Sequence, residues 1–458
     1  MFLRIWFLLR YWLCWILFFE VARIAFLLKN VTSAKDAGLS ASFQSLWYGA
    51  RMDASLAAYF TIPLALCMIV LVFTKLGKCP IFIKIYTGLL LLVCLLLILI
   101  DLNLFQAWGY RVDASILKYM SNPKEVYATI AYLPLFWILL FFVIIYLLLL
   151  FVFNKLLSSW YKSMLAANER KAISIILILL LTGLFIIPIR GGLQLAPLNQ
   201  SSVYFSQNNF ANLAAINAPW NFLYSINHNI ESSKNPFVYL SDTTAHAIVD
   251  SLYSQHADKA LPQSKKTNVI IIVWESFTEK ATHLTVQGHE ITPGFNALKK
   301  EGIYFSNIYA SGDRTDKGIV AVLSGYPAQP ITSIVKEPGK AAKLPKLSTQ
   351  FSNDGYHTAF YYGGELEFAN IKAYLLGGSF NHFVSINDFD KKDQNSKWGA
   401  HDGVVMERLL AGIQQQPQPF FYTWLTLSSH EPFETPVPTV IQGKDVTSLF
   451  LNTLHYTD

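Results

Sequence analysis

Hydrophobic and polar positions divide the chain into two regimes. Over the first 190 residues long uncharged runs recur, at Ala54–Thr74, Ile85–Ile100, Val126–Asn154 and Ala172–Ile189. A helix needs about 20 mostly apolar residues to cross a bilayer's hydrocarbon core, so each run predicts a membrane span. The second is short, but Lys84 before it can extend its ammonium to the interface. A further apolar segment runs from the N-terminus to Leu28, interrupted by Arg4, Arg10, Glu20 and Arg23. A cleaved signal peptide is the alternative there. Charges on both sides of a short core, and no clean small-x-small site after it, favour a retained helix. Glu20 and Arg23 stand three apart on one helix face, able to pair inside a bundle. The expectation is a five-helix transmembrane domain over residues 1–190.

From Asn268 the period changes. "NVIIIVWESF" is a continuous β-branched run of the kind buried in a parallel sheet. "TPGFNALKKEG" then reads as a helix with Pro early and Gly at its end. "IYFSNIYA", "GYHTAFYYGG", "HFVSI" and "PFFYTWLTLSS" read as strands. The segment after Thr315, "LEFANIKAYLLGG" and "DGVVMERLLAGIQQQ" read as helices. Such alternation predicts an α/β domain with a mostly parallel sheet over residues 268–458, its sites at the carboxyl ends of the strands. Residues 191–267, rich in Asn, Ser and aromatics, form the connector, packed on the domain or the membrane surface. Trp220 and Tyr224 suit either an interface or plain packing.

Composition supports the membrane reading: 53% of residues are hydrophobic and 14% charged. Lys75, Lys78 and Lys84 occupy one loop without an acid, and Lys155, Lys162, Arg170 and Lys171 another against Glu169 alone. The positive-inside bias makes these loops cytoplasmic, which puts everything after Ile189 outside a cell membrane. Cys14, Cys67, Cys79 and Cys94 all precede Ile189, so the outer domain holds no disulfide. The net charge of +6 comes largely from bases flanking the spans, and no motif points to nucleic acid. A transporter would need charges along a path inside the spans, which only the first span offers.

Three residues carry candidate chemistry. Glu275 directly follows the first strand run, as a ligand or as a loop acid. Thr315, in "GDRTDKGIVAVLSGYP", opens a helix. Its hydroxyl is either an N-cap or a nucleophile beside backbone N–H groups that suit an anionic ester. His430 follows "FFYTWLTLSS" at another strand end. Together they lie on one rim of one sheet.

The order "ESF", "GDRTDKGIVAVLSGYP", "GYHTAFYYGGELEFANIKAYL" and "LTLSSHEPF" resembles the sulfatase-like membrane enzymes of the alkaline phosphatase superfamily, in particular the lipoteichoic acid synthase group. The resemblance implies Glu275 as a metal ligand, Thr315 as the nucleophile that also touches the metal, and His430 as a substrate contact. It implies a divalent metal, Mn²⁺ or else Zn²⁺, and a phospho-threonine intermediate. The head group of a phospholipid, of phosphoglycerol or phosphoethanolamine type, would pass to a glycan or lipid acceptor outside the membrane. Two departures stand out. Where that group carries a Trp and an Arg that holds glycerol phosphate, this chain has Ala369 and Ile371, leaving Glu365, Asn370 or Lys372 for other contacts. The family's Asp-His-Gly motif is not met before Asp458, so the domain is expected to be incomplete at its C-terminus; His401-Asp402-Gly403 has the wrong order. The alternatives are a non-catalytic truncated relative that binds lipid or a partner, and a sulfuric ester hydrolase.

Overall fold

A computed structural model describes residues 3–73, 79–114, 116–117, 135–166, 170–228, 238–254, 266–330, 332–416 and 418–458. Five helices have the length and apolarity to cross a membrane. They are α1 (Leu3–Lys29), α2 (Leu39–Phe73), α3 (Cys79–Trp108), α4 (Leu135–Ala166) and α5 (Lys171–Leu184), the last continued by a short turn Ile186–Arg190. The protein is therefore a multi-pass membrane protein. The stretch Val126–Pro134 of the fourth expected span, and Lys75 and Lys78 of the first basic loop, lie outside the described residues.

Aromatic side chains of α1 make the bundle's centre. Trp15 packs on Phe60 of α2 at 4.8 Å and on Phe153 of α4 at 5.2 Å between ring centroids. The Glu20–Arg23 pair forms at 2.9 Å. Arg23 also reaches Asp53 of α2 through two hydrogen bonds of 2.7 and 2.8 Å. A buried guanidinium persists only with such full pairing. Gly49 leaves the room: a Cβ there would lie 2.3 Å from the guanidinium carbon.

Arg23 additionally donates to the carbonyls of Ala214 and Ala215, and Asn217 Nδ2 donates to Asp53 at 2.7 Å. These groups belong to α6 (Asn209–Ala215) and its junction with α7 (Ala218–His228). The segment after the last span is thus bonded into the end of the bundle. Trp220 is buried there, its indole N–H donating to Ser55, and it stacks on Tyr224.

The α/β domain is built on β1 (Val269–Val273), β2 (His357–Tyr362), β3 (His382–Val384) and β4 (Phe420–Leu425). All are parallel, in the order β1-β4-β2-β3. Val273 and Tyr362 both pair with Leu425, so β1, β2 and β4 end level. Every residue of β4 is buried, as a continuous apolar run at a sheet centre should be. Helix α9 (Thr315–Ser324) and α10 (Ile371–Leu376) cover one face with Ile319, Leu323, Tyr374 and Leu375. Helix α11 (Asp402–Gln415) covers the other with Val405 and Leu409. Helix α8 (Pro293–Glu301) and α12 (Val446–Thr457) flank them.

Two expectations are corrected. "IYFSNIYA" is not a strand: Ile303–Ala310 is a loop with Ile303, Phe305, Ile308 and Tyr309 exposed. Strand composition becomes a strand only where a neighbour takes its ladder, and no described strand pairs with this run. The helix expected over Leu366–Gly378 is broken. Ala369 and Asn370 are left-handed, with φ of 52° and 64°, and the helix proper begins at Ile371.

Candidate active site

The parallel strands bring the three candidate residues to one rim. After β1 the backbone N–H of Glu275 donates to Thr426 Oγ1 at 2.8 Å, and Thr426 N–H donates to Val273 at 3.1 Å. This reciprocal pairing pins the residue after the strand to the extension of β4. Ser276 then turns left-handed, with φ of 56°, and its hydroxyl donates to Glu275 Oε1 at 3.1 Å. Trp274 stacks on Phe277 at 4.2 Å below the turn. The Glu275 side chain is left 12% exposed.

Thr315 is the first residue of α9. Arg314, with extended φ and ψ of −140° and 149°, is the N-cap, and no side chain caps this helix. The Thr315 hydroxyl instead donates to Glu275 Oε2 at 2.7 Å. The first-turn N–H groups of a helix lack intrahelical acceptors and suit an anion's oxygens. His430 Nε2 lies 4.0 Å from the same Oε2, its side chain 28% exposed. A hydroxyl, a carboxylate and an imidazole therefore converge at a helix start, the hydroxyl hydrogen-bonded to the carboxylate and the imidazole 4.0 Å from it.

Of the charges around Thr315, two are tied to each other. Lys317 Nζ donates to Asp313 at 2.9 Å and to the Pro330 carbonyl at 3.3 Å. That hydrogen bond from Lys317 holds the Asp313 carboxyl below its usual range. Arg314 stays exposed.

The histidine loop is held by residues the sequence did not single out. Asp402, 2% exposed, accepts from Leu427 N–H at 2.7 Å, Ser428 N–H at 3.0 Å and the Thr457 hydroxyl at 2.8 Å. His430 N–H in turn donates to Leu427 at 3.1 Å. His430 packs beside Trp398 at 5.4 Å, and the Trp398 indole donates to the Glu431 carbonyl at 2.7 Å. Gly363 and Ala400 touch behind this wall: a Cβ on Gly363 would stand 2.1 Å from the Ala400 carbonyl oxygen, so only glycine fits. Asp402 belongs to the His-Asp-Gly stretch set aside for its order; its role is to clamp the loop. The one available signal was an acid opening a helix just ahead of the buried strand.

Glu365, Asn370 and Lys372 are all engaged within the protein. Glu365 and Asn370 bond to the segment after α5, and Lys372 pairs with Glu367 at 2.8 Å.

Glu275 and Thr315 bring two oxygen donors together. Among the described residues no group of three or more His, Cys, Asp or Glu side chains is gathered to hold a metal. Divalent cations take about four to eight ligands, so these two by themselves do not build a metal centre.

The Sulfatase family model matches residues 267–458. Lipoteichoic acid synthase-like YvgJ of Bacillus subtilis (strain 168) is 24% identical over 45% of this chain and 34% of its own. Phosphoglycerol transferase I of Salmonella paratyphi B is 26% identical over 40% of this chain and 25% of its own. The match thus spans about a third or less of the length of these curated relatives. Among solved structures, the integral membrane protein lipooligosaccharide phosphoethanolamine transferase A of Neisseria meningitidis aligns over 96% of this chain and 76% of its own, at 14% identity and a TM-score of 0.33. The stretch that the Sulfatase family model matches, residues 267–458, is thus the α/β domain, carried behind five helices of membrane-spanning length.

Proposed function

We propose that this protein is a membrane-anchored phosphotransferase that takes the head group of a phospholipid onto Thr315 and passes it to a glycan or lipid acceptor outside the cell membrane. One observation carries the reading: the Thr315 hydroxyl, at the start of α9, already donates its hydrogen to Glu275 at 2.7 Å. A hydroxyl nucleophile needs an adjacent acceptor of this kind. In the first half-reaction the Thr315 Oγ1–phosphorus bond forms as the phosphorus–oxygen bond to the lipid's glycerol breaks. The hydroxyl proton moves to Glu275, and the departing oxygen takes a proton from His430. In the second half-reaction an acceptor hydroxyl displaces Thr315: the acceptor's proton passes to His430, restoring it, and Thr315 takes its proton back from Glu275.

The names of the relatives, a phosphoglycerol transferase and a lipoteichoic acid synthase-like protein, support phosphoglycerol as the group moved. Arg170 and Lys171 at the start of α5, with Lys155 in the later half of α4, support an outward-facing domain. Mn²⁺ is the cation this reading favours, with Glu275 and Thr315 as the two donors brought to it here and other donors needed to complete its shell.

The test is a phospholipid with labelled head-group phosphorus, in vesicles. The wild-type protein should acquire label on threonine, Thr315→Ser should retain part of it, and Thr315→Ala should show neither label nor turnover while melting within about 1 kcal/mol of wild type. Normal turnover by Thr315→Ala would refute the assignment. Release of sulfate from a sulfate ester, with none from the phospholipid, would move the reading to a sulfuric ester hydrolase.

A further inference from the structure

The rim that carries the candidate site is also the part of the domain bonded to the membrane unit. Glu365 stands just past the end of β2, after Gly363 and Gly364, on the same strand-end side as Glu275 and His430. Its two carboxylate oxygens each accept a backbone N–H, from Leu195 and Ala196, both at 2.9 Å. Those amides sit on a loop that closes on the end of α5: Leu198 N–H donates to the Arg190 carbonyl at 3.0 Å. Five residues later in the domain, Asn370 holds the same segment from the side. Its Nδ2 donates to Gln200 at 3.0 Å, and its Oδ1 accepts from Ser201 N–H at 3.3 Å. The left-handed backbone at Asn370 turns the side chain to this work and breaks the helix that sequence pattern alone would continue.

Apolar packing accompanies the polar latch. Leu376 of α10 is buried in the same core cluster as the aromatic centre of the bundle. A second contact lies at Gly339, where a Cβ would come 3.1 Å from the Tyr110 ring beyond α3. Glu365 and Asn370, with Leu376 and Gly339, thus fasten the domain to the segments that follow α5 and α3, so it is not merely tethered by chain.

We propose that Glu365 and Asn370 are positioning residues: they hold the catalytic rim at the level of the lipid head groups, so that Thr315 is supplied with phosphodiesters from the bilayer and not from solution. This rests on the phosphotransferase reading above. A free domain on a flexible connector would meet soluble and bilayer substrates alike, whereas a docked rim gains the two-dimensional concentration of lipid and a fixed approach to it.

The experiment uses the full chain in phospholipid nanodiscs, as wild type, Glu365→Gln, and the double variant Glu365→Ala/Asn370→Ala. Amide hydrogen exchange of residues 195–201 reads the latch without reference to activity. Turnover is measured on a long-chain phospholipid in the bilayer and on a short-chain analogue kept below its micelle concentration. Exchange at 195–201 should be slow in wild type and about tenfold or more faster in the double variant, with Glu365→Gln between them. Bilayer turnover should fall about tenfold in the double variant while turnover of the soluble analogue stays within twofold. Wild-type amides exchanging as free coil would overturn the latch. Unchanged bilayer turnover, or an equal fall on both substrates, would overturn the positioning role and leave Glu365 and Asn370 as ordinary fold contacts. A wild type that turns over neither substrate sinks the phosphotransferase reading, and the docking then stands or falls on the exchange result.

Discussion

Asp402 offers the sharpest test of how the histidine loop is held. The perturbation is Asp402→Asn, nearly isosteric. The carboxylate accepts three hydrogen bonds in a buried setting, one on Oδ1 and two on Oδ2. An amide keeps one oxygen and sets an NH₂ donor against N–H or O–H donors that have no other partner. Whichever way the amide lies, at least one bond is lost and one donor is left facing another. A bond to a charged acceptor is worth about 1.5–3 kcal/mol, and an orphaned buried donor costs about 1–3 kcal/mol. The net loss should be about 3 kcal/mol. For a domain of this size that lowers the melting temperature by roughly 6–12 °C. The loop bearing His430 hangs on Leu427 and Ser428, so turnover should fall about tenfold even at temperatures where the variant is folded. Thermal unfolding in detergent reads the first effect and the phospholipid assay the second. An Asn variant that melts within about 1 kcal/mol of wild type and keeps its turnover would show that the clamp does not position the loop.

Two further outcomes follow from buried charges. Arg23→Met leaves Asp53 with Asn217 as its remaining partner and should cost about 3–5 kcal/mol, as removing half of a buried pair does; adding Asp53→Leu should recover part of the loss, seen as a partly restored melting temperature in detergent. Lys346 is buried and burial pushes its ammonium down to about 8, although it donates to the Ala341 and Leu344 carbonyls. Between pH 8 and its ordinary value of 10.5 the unfolded chain keeps a proton that the folded chain releases, so stability should rise with pH across that window by about 2–3 kcal/mol. Lys346→Met should flatten the rise, and a wild-type profile that is flat or falls there would contradict the burial.

The legible parts of this protein are those whose physics is local. A long, mostly apolar run must hide its backbone as a helix in lipid, so the spans could be read without a fold. The β-branched run of Val269–Val273 and the aromatic run of Phe420–Leu425 are long enough to identify themselves as central strands. Because they are parallel and end level, Glu275 and His430 had to share a rim. Ile303–Ala310 has equally strand-like composition and is a loop, because pairing is a property of the neighbour and not of the segment. Asp402 was passed over for the opposite reason. Its partners at Leu427, Ser428 and Thr457 stand 25 to 55 residues away in sequence, and nothing near it announces a clamp.

The same distinction bears on the stretch "FANIK". From sequence alone, Ala369 and Ile371 raised a question of substrate, since the resemblance placed a substrate-holding residue there and left Asn370 and Lys372 as possible substitutes. In the fold, Asn370 faces Gln200 and Ser201, Ala373 N–H donates to Ser201 Oγ at 3.0 Å, and Lys372 closes on Glu367. A left-handed asparagine flanked by small or aliphatic residues lets two backbones approach closely, which a Trp and an Arg at those positions would crowd. A segment that bonds to the connector is not free to hold a head group. On the proposed phosphotransferase reading, recognition of the head group falls to residues elsewhere on the rim. Two groups stand beside the candidate residues: Arg314, exposed next to Thr315, and the Trp398 ring, which packs at 5.4 Å from His430 while its indole N–H is taken by Glu431.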